Sequence, residues 1–308
     1  MSAQVNREDF IEYMEDTLRE VYTVTFEGGT TWEQVFDVKE STKRREEVSE
    51  YTGPDTVIQT DEGTPYQRVQ VRKAYTAATV HLTFTGEVKI THEMMRDNLY
   101  EEINQRVWGL ADAMQRKIYK DAMQLFYNGF TSVLTPDGVS LFNTAHPLKF
   151  APAGVTHPNR NDVPLNSDTL FNAIADMLET KDENGSVSQG YGEGKLQLIV
   201  GPRLKKYAEE LVGSDKTADS NNNAINVYKK VFSIEVICLP LLAEAPTIAA
   251  TQWYLRDASK ARNTFFYRER PKTWMVKDQN SPSVLYQALC SYSFLQPTWR
   301  GQWGSRGQ

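Results

Sequence analysis

The chain has 308 residues, 40% of them hydrophobic and 24% charged, which is ordinary for a folded globular protein with room for two domains or one large one. A formal net charge of −6 argues against dedicated nucleic-acid binding by the chain as a whole, without excluding a local basic face. No run approaches ~20 apolar residues, which excludes a transmembrane helix, and the charged opening MSAQVNREDFIEYMEDTLRE does not read as a signal peptide.

Residues Glu8 to Val21 place Phe10, Met14, Leu18 and Val21 on one face of a short amphipathic helix. Gly28-Gly29 marks a turn, and Lys43-Arg44-Arg45 followed by Glu46-Glu47 reads as a solvated face. From Thr52 to Ile90 the character changes. Gly53-Pro54 and Asp61-Glu62-Gly63 are turn signals, and Pro65 blocks a continuous central strand. Gln67 to Ile90 is β-prone through Val69, Val71, Tyr75, Val80, Leu82, Phe84 and Val88, but too long and polar for a core strand of ~5–6 residues. The expectation is a two-stranded arm that needs a partner, either its own chain or a neighbour.

Asn98 to Gly129 is expected to be one uninterrupted helix, roughly 43 Å long at ~1.5 Å per residue. Leu99, Ile103, Val107, Leu110, Met114, Ile118 and Leu125 fall on one face, with Ala111 and Ala122 between them. Asn98 is the expected N-cap with Glu101 reaching back, and Asn128-Gly129 the left-handed stop. A helix of that length suits a spine.

Thr135-Pro136-Asp137-Gly138 reads as a β-turn, followed by a polar, Asn- and Pro-rich link to Asn166. Ser167 is expected to cap a helix through Glu179, with Leu170, Ile174 and Leu178 inward. Leu196 to Val200 is a short strand, and Pro202 to Gly213 a helix with proline at its start and glycine at its end. A loop with Asn221-Asn222-Asn223 precedes a strand from Val231 to Leu239, closed by Pro240; Gln252–Arg256 and Asn263–Arg268 are further strands. This block reads as a compact α/β domain inserted between the spine and a tail strand, Val284 to Trp299.

Signals for chemistry are weak. Gly190-Tyr191-Gly192-Glu193-Gly194-Lys195 has Gln189 and Leu196 where a phosphate loop needs glycine and a hydroxyl, so a flexible loop tip is expected. Asp182, Asn184, Ser186, Ser188 and Glu193 have the spacing of a calcium loop, but Val187 stands in place of its turn glycine, so a polar hairpin is expected. His81, His92, His146 and His157 lack metal spacing, and Cys238 and Cys290 read as buried small residues in a reducing compartment. No G-x-S-x-G elbow occurs. No catalytic, cofactor-binding or metal-ligating residue is assigned.

Two runs carry a family resemblance: Gly86-Glu87-Val88-Lys89-Ile90-Thr91-His92-Glu93 leading into the helix, and Asp137-Gly138-Val139-Ser140-Leu141-Phe142-Asn143-Thr144-Ala145-His146-Pro147. Tyr292-Ser293-Phe294 through Trp299-Arg300-Gly301 adds to them. With the order of parts, the chain resembles the major capsid proteins of tailed bacteriophages, nearest to the Mu-like prophage major head subunits. The resemblance implies an α+β, Hong Kong 97-like capsid fold. Residues 1–50 would be an N-terminal arm, 51–90 an extended β-hairpin loop, 91–150 with 271–308 a peripheral domain holding the spine helix, and 151–270 an axial α/β domain.

It also implies a structural, non-enzymatic subunit without cofactors that self-assembles through hexamers and pentamers into an icosahedral shell around phage DNA. The subunit would reside in the virion after assembly in the host bacterial cytoplasm, without membrane contact. About fifty residues before the loop are too few for a built-in scaffolding region, so a separate scaffolding protein is expected. Other expected partners are a portal, a decoration protein and weakly, non-specifically held double-stranded DNA. Cross-links of the kind some relatives carry are not implied, and Lys73 is an ordinary lysine of the arm. The alternative is a soluble α/β enzyme or ligand-binding module with a site between the 151–270 block and the spine helix.

Overall fold

The computed structural model describes residues 7–27, 31–54, 57, 59–66, 68–214, 227–244 and 251–307. In its first half these form α1 (Arg7–Glu27), β1 (Asp37–Glu40), β2 (Arg45–Thr52), β3 (Arg72–Val80), β4 (Leu82–Ile90), α2 (His92–Arg96) and α3 (Tyr100–Tyr127). There follow β5 (His146–Pro147), β6 (Thr156–His157), α4 (Ser167–Leu178), β7 (Leu196–Val200), α5 (Pro202–Gly213), α6 (Val227–Val231) and β8 (Ile234–Cys238). The chain closes with β9 (Trp253–Asp257), β10 (Thr264–Lys277), β11 (Val284–Leu295) and β12 (Gln302–Ser305). The turn at Gly28-Gly29 and the loop of Asn221-Asn222-Asn223 lie outside the described residues.

The spine is α3, 28 residues long and so ~42 Å from end to end. Ile103, Val107, Ala111, Met114, Ile118, Ala122 and Leu125 are buried along it, whereas Leu99, at its head, is 39% exposed. Both expected caps are corrected. Asn98 sits at φ 55 in the left-handed region, where asparagine is tolerated, because the chain must reverse there between α2 and α3. The N-cap position falls to Leu99 without a side-chain bond, and Glu101 and Glu102 face the positive helix end instead. At the other end Asn128 stays right-handed (φ −87, ψ −5).

Strands β1, β10, β11 and β4 form one four-stranded sheet in that order, with β1 parallel to β10 and the other pairs antiparallel. The spine crosses β4 so closely that a Cβ on Gly86 would lie 2.6 Å from Leu110 Cδ1. Pro271 falls in β10 beyond the reach of β1, in a stretch where the register with β11 shifts, which is where a strand tolerates proline. Helix α1 lies along α3 and contributes Met14, Leu18 and Tyr22 to the core between them.

A second sheet has the order β12-β9-β7-β8, with β7 and β8 parallel. Every residue of β7 is buried, because Leu196, Leu198 and Val200 face α4 and α5 while Ile199 joins the core of the spine. The two cores therefore share this sheet. Tyr254 of β9, wholly buried, packs its ring against Phe126, Phe130 and Phe142. Asn166, not Ser167, caps α4, bonding Thr169 reciprocally; Met177 is inward where Leu178 was expected, and Leu178 is 38% exposed. Helix α5 keeps its expected bounds, and the strand expected from Val231 begins only at Ile234, after the turn of α6.

The arm also differs from its expected form. Strand β3 pairs antiparallel with β2, not with β4, and β4 pairs with β11 in the body. Between Val80 and Leu82 there is only His81 and no glycine, proline or asparagine to fold a hairpin, so the chain bends and runs on into the second strand. The β2–β3 pair rests on the body through Val48, Ala77, Phe266 and Leu295. Every described residue from 53 to 71 is exposed.

Met114 is 6% exposed on the spine's buried stripe. Met114→Asp places an unpaired carboxylate there, and the expected outcome is several kcal/mol of lost stability and loss of soluble protein. An unchanged thermal melting curve for the variant would show that this face of α3 is not core.

Candidate functional site

Three stretches far apart in sequence meet at the root of the extended loop: the run Asp137–Pro147, the hairpin around Asp182, and the tail at Trp299-Arg300. The turn expected at Thr135–Gly138 forms, with Gly138 N donating to Thr135 O at 2.9 Å and Gly138 at φ 88. It presents Asp137, whose Oδ1 accepts from Thr135 Oγ1 at 2.5 Å. Asp137 Oδ2 lies 2.6 Å from His146 Nδ1, and His146 Nε2 lies 3.1 Å from Asn159 Oδ1. The Asn159 amide is oriented by its neighbours, accepting from Asn143 N at 2.8 Å and donating to Leu141 O at 2.8 Å. Phe142 of the same run is slotted between two glycines: a Cβ on either Gly129 or Gly304 would lie 2.8 Å from its ring. This close approach, not a left-handed conformation, is what Gly129 supplies.

Trp299 stacks on His146 at 4.3 Å between ring centroids and on His157 at 5.4 Å. His146 and His157, expected on opposite sides of an irregular link, are direct partners across β5 and β6. Burial pushes the His157 imidazole down to about 4, with Lys181, Arg300 and His146 acting in the same direction.

The Arg300 guanidinium lies over the other part of this assembly, 4.7 Å from the Trp299 ring centroid and 3% exposed. Its Nε donates to Lys181 O at 2.7 Å, its Nη1 to Glu50 Oε1 at 3.1 Å, and its Nη2 is 2.9 Å from Glu183 Oε1. Glu183, 1% exposed, accepts from the Lys149 backbone N at 2.7 Å through its second oxygen. Burial pushes the Glu50 carboxyl up while Arg300 pulls it down. Lys149 Nζ donates to Ala74 O of β3 and lies 5.2 Å from the Tyr75 ring centroid. Asn184 Nδ2 donates to Gly53 O at 3.2 Å. The root of the loop is thus fastened at β2, at β3 and at its first residue beyond β2.

The other sequence candidates have structural uses. Asp182 Oδ1 accepts from Asn184 N at 2.9 Å and Ser186 N at 3.0 Å, so the carboxylate expected in a polar hairpin closes that hairpin. The glycine-rich stretch is not a free tip: Gly192 N donates to Asp257 Oδ2 at 2.9 Å. His81 is buried with Nδ1 3.0 Å from Ser293 Oγ, and Cys290 is buried while Cys238 is half-buried. In the charge run, Lys43 is solvated, but Glu46 is 8% exposed and accepts from Ser41 Oγ at 2.5 Å. Among the described residues no group of three His, Cys, Asp or Glu could hold a metal ion, and no helix is long and apolar enough to cross a membrane.

Arg300, Glu183 and Glu50 escaped sequence reading as a cluster, because nothing local marks which of 40 acidic residues will face a buried guanidinium. What the cluster does chemically is hold shape. Its carboxylates are occupied by one cation and by backbone donors, and its exposed product is the loop 53–71, which carries Val57, Tyr66, Val69 and Val71 at 83%, 97%, 50% and 66% exposure. These four apolar side chains lie on a stretch without a core of its own.

A sequence-family model described as phage capsid protein matches residues 47–301. No curated protein matches the chain. Among solved structures the fold is similar to a virus-like particle from Pyrococcus furiosus, with 12% identity, TM-score 0.54, and coverage of 96% of this chain and 100% of that one. It is similar to the capsid of an empty GTA particle, with 11% identity, TM-score 0.52, and coverage of 89% and 88%. The procapsid of bacteriophage JBD30 is a third, at 11% identity, TM-score 0.50, and coverage of 96% and 74%. At these identities the likeness establishes the fold.

Two variants test the anchor. Arg300→Met leaves Glu183 buried without its cation, and a loss of about 3–5 kcal/mol in unfolding free energy is expected by denaturant titration; a loss below about 1 kcal/mol would show that the pair is not held as described. The second concerns pH. Because the folded His157 pKa lies below the unfolded one, the unfolded chain binds the extra proton, and this contribution is complete above pH ~6.5 and is lost as pH falls towards 4. Between pH 7 and 4.5 the parent chain should lose about 2 kcal/mol more stability than His157→Phe. Parallel pH profiles for the two would contradict a neutral, buried His157.

Proposed function

The chain belongs to the phage capsid protein family, and from that premise we propose that it forms a closed icosahedral shell through hexamers and pentamers, its extended loop lying over a neighbouring subunit. The protein is a structural component of a virion, and an enzymatic role has no support in the family it belongs to. The observation that supports the proposal is the pairing of an anchored root, Arg300 with Glu50 and Glu183, with a loop whose exposed apolar side chains have no cover among the described residues. A root of that kind aims the loop; the loop gains its packing from another subunit.

On this reading residues 1–50 act as the N-terminal arm and 51–90 as the extended loop. Residues 91–150 with 271–308 act as the peripheral domain, and 151–270 as the axial domain. The division is functional, since β2 begins before residue 51 and β12 shares a sheet with β7 to β9. The net charge of −6 suits a wall that contains DNA while holding it weakly. A scaffolding protein, a portal and a decoration protein are the partners proposed, with assembly in the host bacterial cytoplasm; placement beside the Mu-like head subunits is part of the same proposal.

The test is sedimentation and electron microscopy of the full chain, produced alone and with candidate scaffolding proteins. Closed particles of megadalton mass are expected, and a concentration-independent monomer under every condition overturns the reading. In free subunits, limited proteolysis should cut first between Tyr51 and Arg68, with assembly protecting those bonds. Deletion of residues 57–64 should leave a subunit that melts normally but forms no closed shells. Normal particles from that deletion would remove the loop from the account of assembly.

A further inference from the structure

Beside the root of the loop lies a cleft of about 400 Å³, lined by Tyr51, Tyr191, Ser259, Lys260, Arg262 and Thr298 among others. Its two cations are exposed, and neither forms an ion pair among the described residues. Lys260 Nζ lies 5.8 Å from the centroid of the Tyr191 ring and close beside Gly190, where an added Cβ would meet it at 3.1 Å. The one carboxylate in the lining, Glu50, is held by Arg300, and Arg262 acts on it through charge at a distance without forming an ion pair. A cleft with two cations outside any ion pair, tyrosine rings and hydroxyls is matched to an acidic segment that also carries an aromatic side chain.

Such a segment exists in the chain. Residues 57–66 contain Asp61 and Glu62 and no basic residue. The stretch turns at Asp61–Thr64, where Thr64 N donates to Asp61 O at 3.2 Å and Gly63 stands at φ 84. Asp61 and Glu62 are exposed and make no ion pair among the described residues, and Tyr66 is 97% exposed just beyond them. The tip of the loop is therefore anionic and aromatic, and the cleft at its root is cationic and aromatic.

We propose that this cleft receives the Asp61–Tyr66 tip of a second copy of the chain, with Asp61 and Glu62 on Lys260 and Arg262 and with Tyr66 against the tyrosine rings. The proposal rests on the shell reading and makes it specific. A contact from the tip of one copy to the root of the next joins two different surfaces of the same molecule, and such head-to-tail contacts close into rings when the rotation between copies allows. The same contact would fix each loop at both ends, its root by its own Arg300 and its tip by the neighbour's cations.

Charge exchange tests this directly. Lys260→Glu with Arg262→Glu, and separately Asp61→Lys with Glu62→Lys, place like charges opposite each other, and each pair should lower the yield of assembled particles by about tenfold or more. All four changes in one chain restore opposite signs and should recover particles to within about threefold of the parent. Thermal melting of the free subunits separates a folding defect from an assembly defect, and a covalent trap adds a readout independent of yield. Assembled mixtures of Glu62→Cys chains with Lys260→Cys chains should form disulfide-linked dimers under mild oxidation, and the parent chain, with its own Cys238 and Cys290, should not. If the parent assembles while the reversed pairs assemble equally well, or if neither rescue nor cross-linking occurs, the docking is overturned and the shell reading stands. If the parent never assembles, the shell reading fails and the docking fails with it.

Discussion

Burying the Arg300 guanidinium constrains everything around it. A cation withdrawn from water costs several kcal/mol unless its donors are met, and it cannot discard its proton to escape that cost. Here Nε donates to Lys181 O and Nη1 to Glu50, Nη2 stands 2.9 Å from the Glu183 carboxylate as an ion pair, and the Trp299 ring lies beneath. Three separate segments must therefore arrive together: β2 with Glu50, the hairpin carrying Lys181 and Glu183, and the tail. Glu183 in turn needs the Lys149 backbone N, and Lys149 reaches β3. Replacing such a network by apolar residues can leave overall stability unchanged, so its contribution is best understood as specificity of arrangement. In this molecule the arrangement specified is the angle at which a loop without a core leaves the body.

That angle matters because the body cannot deform to correct it. The spine packs on α1 and on the β4–β11 sheet, with Gly86 admitting the helix to contact distance. The second sheet lies between two cores and is buried on both faces, as the unbroken burial of β7 records. Tyr254, Phe142 and Phe130 tie that sheet to the end of the spine, so the second sheet is continuous with the helix through packing. Close-packed interiors transmit displacement with little give.

Legibility from sequence followed the range of the interaction. The spine, α5 and β7 were readable because periodicity, Pro202 and Gly213 are local signals of local structure. Asn98 misled because asparagine suits both an N-cap and a left-handed turn, and the reversal after α2 decided between them. The pairing of β3 with β2 was hidden because both partners of β3 and β4 are non-local; only the missing turn residue at His81 hinted that the two strands part company. Asp137 through Pro147 was readable as a motif, but its reason was not: it exists to seat His146 against Trp299, more than one hundred and fifty residues away. Arg300 and Glu183 left no local trace at all, since a buried ion pair and a solvated one use the same letters.

Strength concentrated at the root and absence of core in the loop have a consequence for how copies can meet. If the loop were stable by itself it would hold one conformation and demand one geometry from its neighbour. Under the proposed shell reading, the described residues of 53–71, all exposed, would gain packing only on contact with a neighbour, and conformational entropy lost then would weaken each contact. Weak contacts let misplaced subunits leave before a shell closes, whereas many of them acting together hold the closed shell firmly. Under the same proposal the fixed root would supply direction and the uncovered loop reversibility; five-fold and six-fold rings differ in the angle between copies, and a tip without a core of its own could meet its neighbour in either. A loop packed firmly on its own chain would favour one of those rings and exclude the other.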